Sequence, residues 1–127
     1  MDKIQLFLKN IGLSEKESKL YLTGLNLGPT RAAMLSRRTG FTRQHTYDLL
    51  KSLEQKGFVS KMGKSYGQRF IMEDPKNLKN ILERKKQKIE KLNIALEKIM
   101  PEFESSYNIK GAISKIKFFE EIRLFNK

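Results

Sequence analysis

Residues 42–57, TRQHTYDLLKSLEQKG, constrain the fold more than any other stretch of the chain. Thr46, Leu49, Leu50 and Leu53 fall at i, i+3, i+4 and i+7, the spacing that gathers side chains on one side of an α-helix. Thr42 precedes them, with a hydroxyl able to accept from the free backbone N–H groups of a first turn. Gly57 follows them and can take the left-handed conformation that ends a helix. Outside the buried stripe, near the N-terminal end, stand Arg43, Gln44, His45 and Tyr47. A guanidinium, an amide, an imidazole and a phenol on the open face of a helix are groups that bond base edges and phosphates. The stretch predicts a recognition helix.

The residues on either side fit that reading. Residues 3–10 predict a short helix with Ile4, Phe7, Leu8 and Ile11 on one face, stopped by Gly12. Ser14 and Glu17 have the spacing of a capping box, and the helix they open runs to about Leu27, with Leu20, Tyr21, Gly24 and Leu27 inward. Gly28-Pro29 breaks it, and Thr30 is expected to cap a third helix whose Ala32 and Ala33 allow close packing. Thr39-Gly40-Phe41 is the turn before the recognition helix. Two helices joined by a short glycine-containing turn form a helix-turn-helix. After Gly57 the period shortens to two: FVSKM (58–62) and QRFIM (68–72) flank the glycine-bearing MGKSYG, which predicts a β-hairpin. Lys61, Lys64 and Arg69 make it a basic wing.

Glu73-Asp74-Pro75 marks a boundary. Beyond it Leu82, Ile89, Leu96 and Phe103 alternate with Leu78, Lys85, Leu92 and Ile99 at steps of four and three. That is a heptad seam, with the first set at a and the second at d. Lys85 in the seam trades stability for register. Pro101 is expected to end or kink the helix. Residues 105–111 read as a loop, and Ile116-Lys117-Phe118 as a strand. Ile113, Ile116, Phe118, Phe119, Ile122, Leu124 and Phe125 make the tail too apolar to stand in water uncovered.

The chain carries 26 Lys and Arg against 14 Asp and Glu, a formal charge of +12. An excess of this size points to a polyanionic partner. The absence of cysteine rules out disulfides, zinc fingers and thiol catalysis, and agrees with a reducing cytoplasm. MDKIQLFLKN holds only a short, interrupted apolar stretch, so it does not read as a secretory leader, and no apolar run reaches membrane-spanning length. His45 is the single histidine and has too few companions to build a metal site. GFVSKMGKS (57–65) is one residue too long for a phosphate-binding loop and follows a helix instead of a strand. No nucleophile–base set or paired carboxylates stand out, so neither catalysis nor a cofactor is expected.

Within this frame Arg43, Gln44 and Tyr47 are the candidates for base contact, since arginine bridges guanine O6 and N7 and glutamine bridges adenine N6 and N7. Arg31, Arg37, Arg38, Thr42, His45, Lys51, Lys61, Lys64 and Arg69 are the candidates for phosphate and wing contact. Asp48 places a negative charge near the groove and is expected to orient Arg43 or Lys51.

Three stretches carry a family likeness: IGLSEKESKLYLTGLNLGP, RTGFTRQHTYDLLKSLEQKGFVSK and EDPKNLKNILERKK. In this order, and from about residue 3 to 119, the chain resembles the TrmB-like transcriptional regulators of archaea and bacteria. The resemblance implies DNA binding and dimerisation. It also implies that KIKFFE (115–120) opens the family's C-terminal effector domain, which binds a sugar or related ligand. The residues of such a domain are missing from this chain, as is the glycine usual after FFE, so an effector is not carried over to any residue. MarR-like regulators share the winged helix but place dimer helices on both sides of it.

The expected architecture is mainly α with a small β-hairpin. A winged helix-turn-helix occupies 1–74, a long coiled-coil-like helix 75–104, and a loop with an apolar tail 105–127. The expected function is sequence-specific binding of double-stranded, palindromic DNA by a homodimeric, cytoplasmic transcriptional regulator. Two other readings compete: a module that pairs with a full-length paralogue through the heptad helix, and a DNA-targeting fragment of a larger enzyme.

Overall fold

The computed structural model describes residues 2–64 and 66–125. The chain divides into two compact units, Met1–Glu83 and Arg84–Lys127. In order, its elements are α1 (Lys3–Ile11), α2 (Glu15–Leu27), α3 (Ala32–Thr39), α4 (Arg43–Lys56), β1 (Val59–Met62), β2 (Arg69–Met72), a 3-10 turn (Pro75–Asn77) and α5 (Leu78–Phe125). Among the described residues it is mainly helical with one antiparallel hairpin, as its sequence predicts.

The helix boundaries follow from local chemistry. Asp2 accepts from the Gln5 N–H while the Gln5 side chain accepts from the Asp2 N–H, which starts α1. Ser14 and Glu17 form the same reciprocal box at α2. Gly12, Gly40 and Gly57 end α1, α3 and α4 at φ of 115°, 82° and 89°, a region that favours glycine. Of the four residues expected to point inward from α1, Leu8 and Ile11 are buried, whereas Ile4 and Phe7 are exposed.

The core of the first unit gathers Leu8, Leu20, Tyr21, Leu35, Leu50, Leu53, Phe58, Phe70, Met72 and Ile81. All four residues of the α4 stripe, Thr46, Leu49, Leu50 and Leu53, are buried. Phe58 is locked in place: its N–H donates to Leu53, its carbonyl accepts from Glu73, and its ring meets Tyr21 edge-on at 5.3 Å. Met72 lies against Gly24, where an added Cβ would fall 2.4 Å from the Met72 Cγ.

β1 and β2 pair with Val59 opposite Met72 and Met62 opposite Arg69. Thr30 bridges Phe70 on the other edge of β2, through N–H to carbonyl bonds of 3.0 and 2.7 Å. This corrects the expected role of Thr30. Its backbone groups are used in the sheet bridge, and the N-cap of α3 is Arg31, with no side-chain cap bond.

α5 corrects the expectations for the C-terminal third. It is helical from Leu78 to Phe125, so 105–111 is not a loop and Ile116-Lys117-Phe118 not a strand. Pro101 lies inside the helix without ending it. Lacking an N–H, it leaves the Glu97 carbonyl without its usual partner four residues on, a loss that an exposed helix makes good with water. A three-residue alternation with no partner strand among the described residues is too short to hold a strand against a continuing helix. Hairpin residue Ser65, tail residues Asn126 and Lys127, and the Phe125 side chain lie outside the described residues.

Candidate nucleic-acid interface

The helix-turn-helix presents one polar surface. Thr42 caps α4 by accepting from the His45 N–H at 3.1 Å, which fixes where the helix begins. Thr46 donates back to the Thr42 carbonyl at 2.8 Å, so a buried hydroxyl is satisfied locally and the apolar stripe stays inward. The remaining face of α4 exposes Arg43, Gln44, Tyr47, Asp48 and Lys51. Tyr47 is 50% exposed, and its ring rests edge-on against Phe70 of β2, centroids 6.3 Å apart. Phe70 thereby holds the wing to Thr30 and also steadies a candidate base contact.

The bridge at Thr30 also brings Arg31 to the wing. Its guanidinium lies beside Gly67, 3.9 Å from where a Cβ would stand there. Arg31, Lys64 and Arg69 are exposed, as are Arg37 and Arg38 in the last turn of α3. Lys61 is exposed as well, and faces the Glu54 carboxylate at 3.6 Å, which offsets part of its charge locally.

Two predicted roles change. Asp48 accepts from Gln44 Nε2 at 3.2 Å, and among the described residues it pairs with neither Arg43 nor Lys51. The (i, i+4) spacing puts Gln44 and Asp48 on one strip of the helix, which is the physical reason for the exchange. His45 is half-buried, edge-on to Phe41 at 5.6 Å, with Nε2 shielded and without a hydrogen-bond partner. In this pose Nε2 is not presented to a phosphate.

The sequence places Phe41 only in the turn before α4, and neither its packing role nor its contact with Lys19 is read there. Phe41 precedes the α4 cap, where an apolar residue fixes the angle of chain entry. Its ring receives the Lys19 ammonium at 5.3 Å and its carbonyl accepts from Ser36, so the turn is held from α2, α3 and α4 together. The apolar residue at the position before Thr42 was the available signal.

Beneath this surface α4 is fastened to α2. Glu17, 4% exposed, accepts from Lys56 Nζ at 2.8 and 3.0 Å, from Ser52 Oγ at 2.7 Å and from the Ser14 N–H at 2.9 Å. Burial pushes its carboxyl up. The bonds from Lys56, Ser14 and Ser52, with the Lys56 charge, outweigh burial and hold it below the ordinary value. Tyr21 donates to the Glu73 carbonyl at 2.9 Å, and burial, with Asp74 and Glu73 nearby, pushes its phenol up.

In the second unit, and in α5 up to it, the seam residues Leu82, Lys85, Ile89, Leu92, Leu96, Ile99 and Phe103 are exposed. Leu78 is not among them: it is half-buried against the first unit's core, beside the buried Ile81. Among the described residues no three His, Cys, Asp or Glu gather as a metal site, and no helix is long and apolar enough to cross a membrane.

The chain matches the family model of the sugar-specific transcriptional regulator TrmB over residues 8–81. TrmBL1 of Pyrococcus furiosus, described as an HTH-type sugar sensing transcriptional regulator, is 44% identical over 52 residues, which are 41% of this chain and 15% of that protein. TrmBL2, described as an archaeal chromatin protein with a novel mode of DNA binding, superposes with a TM-score of 0.70 at 24% identity, over 84% of this chain and 41% of its own. The transcriptional regulator Tm0710 of Thermotoga maritima superposes with a TM-score of 0.51 at 20% identity, over 87% and 83%. The two structural likenesses show the fold. The chain covers less than half the length of TrmBL1 or TrmBL2.

Proposed function

The chain belongs to the TrmB family of transcriptional regulators, and from that premise we propose that it binds double-stranded DNA through α4 and the β1–β2 wing. One observation carries the reading: α4 buries Thr46, Leu49, Leu50 and Leu53 while Arg43, Gln44 and Tyr47 stay exposed on its free side. A helix divided in this way can enter a major groove without giving up its own core.

In this reading Arg43, Gln44 and Tyr47 contact base edges. Arg31, Arg37, Arg38, Lys51, Lys61, Lys64 and Arg69 meet the sugar-phosphate backbone, joined by Thr42 at the start of α4, while His45 stays turned against Phe41. The module is residues 1–74, and the exposed stripe of α5 joins two copies. Two recognition helices on one face of B-DNA then stand roughly 34–36 Å apart, over a palindromic site. The protein works in the cytoplasm, as a regulator and not as an enzyme, and no residue of this chain is assigned to a sugar.

The exposed Ile89, Leu92, Leu96 and Ile99 favour a second reading, in which the stripe pairs with a longer member of the family. Electrophoretic mobility shift separates the two. A duplex from the gene's own upstream region is retarded by the chain and not by its R43A/Q44A/Y47A variant. Equal mobility with both would leave pairing as the function.

A further inference from the structure

Resting on the DNA-binding reading above, we propose that Asp48 is a positioning residue that makes Gln44 select amino-bearing bases in the major groove, adenine before cytosine, and reject guanine and thymine. The observation is the bond from Gln44 Nε2 to Asp48 Oδ1, 3.2 Å long, between two exposed side chains one turn apart on α4. A glutamine amide can present either its oxygen or its nitrogen by a half-turn about its last bond. A carboxylate oxygen only accepts, so the amide must keep its nitrogen toward Asp48. Gln44 Oε1 is then turned away from Asp48 and is the end left for a partner.

An acceptor held in that position discriminates by charge pattern. Adenine N6 and cytosine N4 donate into the major groove, whereas guanine O6 and thymine O4 accept there. A keto base would set oxygen against oxygen, and Gln44 could relieve this only by breaking its bond to Asp48. The amide hydrogen that Asp48 does not take remains for adenine N7, which cytosine lacks, so adenine ranks first. The cost of the arrangement is a negative charge beside a polyanion, and Asp48 has no ion pair with Arg43 or Lys51 to cancel it.

The test is selection of bound sequences from a randomised duplex library by the full chain and its D48A and Q44A variants, followed by anisotropy on the enriched duplexes. The wild-type motif is expected to hold one position restricted to adenine and, less often, cytosine. Q44A loses that restriction. D48A frees the amide to turn, so guanine and thymine enter at that position alone, and a keto penalty on the order of tenfold largely disappears. If D48A tightens binding to every duplex alike with the base distribution unchanged, Asp48 acts through charge only and the proposal is overturned. A Q44A-sensitive position filled by guanine or thymine, or no Q44A-sensitive position at all, overturns it too. If the wild-type chain enriches no sequence, the DNA-reading function itself fails.

Discussion

Lys56 Nζ lies 2.8 Å from Glu17 Oε1, an ion pair that joins the last turn of α4 to the first turn of α2. The same ammonium donates to the Gly12 carbonyl at 2.9 Å, so one side chain ties the recognition helix to the α1–α2 turn. The orientation of α4 therefore depends on a polar contact on the side away from the candidate interface.

Removing Lys56 leaves the buried carboxylate with two neutral donors. Because the lysine is 38% exposed, water screens part of the effect. Lys56→Met is expected to cost about 1–2 kcal/mol, between an exposed pair and a fully buried one. A urea midpoint equal to that of the wild type would contradict this.

Acid should act through the same carboxyl. Glu17 is held below its ordinary value of 4.5, so its contribution is fully present above that pH and is lost as pH falls through the lower folded-state value. Thermal unfolding as a function of pH should show a fall below about 4.5 that is shallower in Glu17→Gln. Parallel curves for the two proteins would exclude Glu17 as a source of the acid sensitivity.

Arg43 and Lys64 should separate sequence preference from general affinity. Arg43→Ala is expected to weaken binding to the preferred duplex by about 1–3 kcal/mol and to scrambled duplex by less. Lys64→Ala should weaken both alike and reduce the salt slope by about one. Equal losses on both duplexes in both variants would remove that division of labour.

The α5 stripe carries the proposed dimer. With Ile89, Leu92, Leu96 and Ile99 all exposed in the single chain, sedimentation should show a dimer, and Leu92→Asp with Leu96→Asp should give a monomer. A monomeric wild type at working concentration would overturn the pairing.

The first unit was legible in the sequence because its signals are local. The Ser14–Glu17 box, the Thr42 cap, the four-residue α4 stripe and the change of period after Gly57 each act within a few residues, and each appears in the structure. What was not legible depends on distant residues. Thr30 looked like a cap because its partner Phe70 is 40 positions away, and Glu17 looked like a cap alone because Lys56 and Ser52 lie on another helix. The C-terminal third is misread in the sequence for another reason: Pro101 has the chemistry of a breaker, yet a long exposed helix accommodates it and continues through 105–111. At the candidate interface the exposed positions of α4 were legible, but the direction of the Gln44 amide was not, since it is set by which neighbour Asp48 reaches.

The most direct measurement is fluorescence anisotropy of the purified chain with duplex DNA from its own upstream region and with a scrambled duplex, across salt from about 50 to 200 mM. Tighter binding to the upstream duplex is expected, falling steeply and linearly on logarithmic axes as salt rises. Weak binding that is equal for both duplexes would contradict it and would leave the excess positive charge without a sequence-reading role.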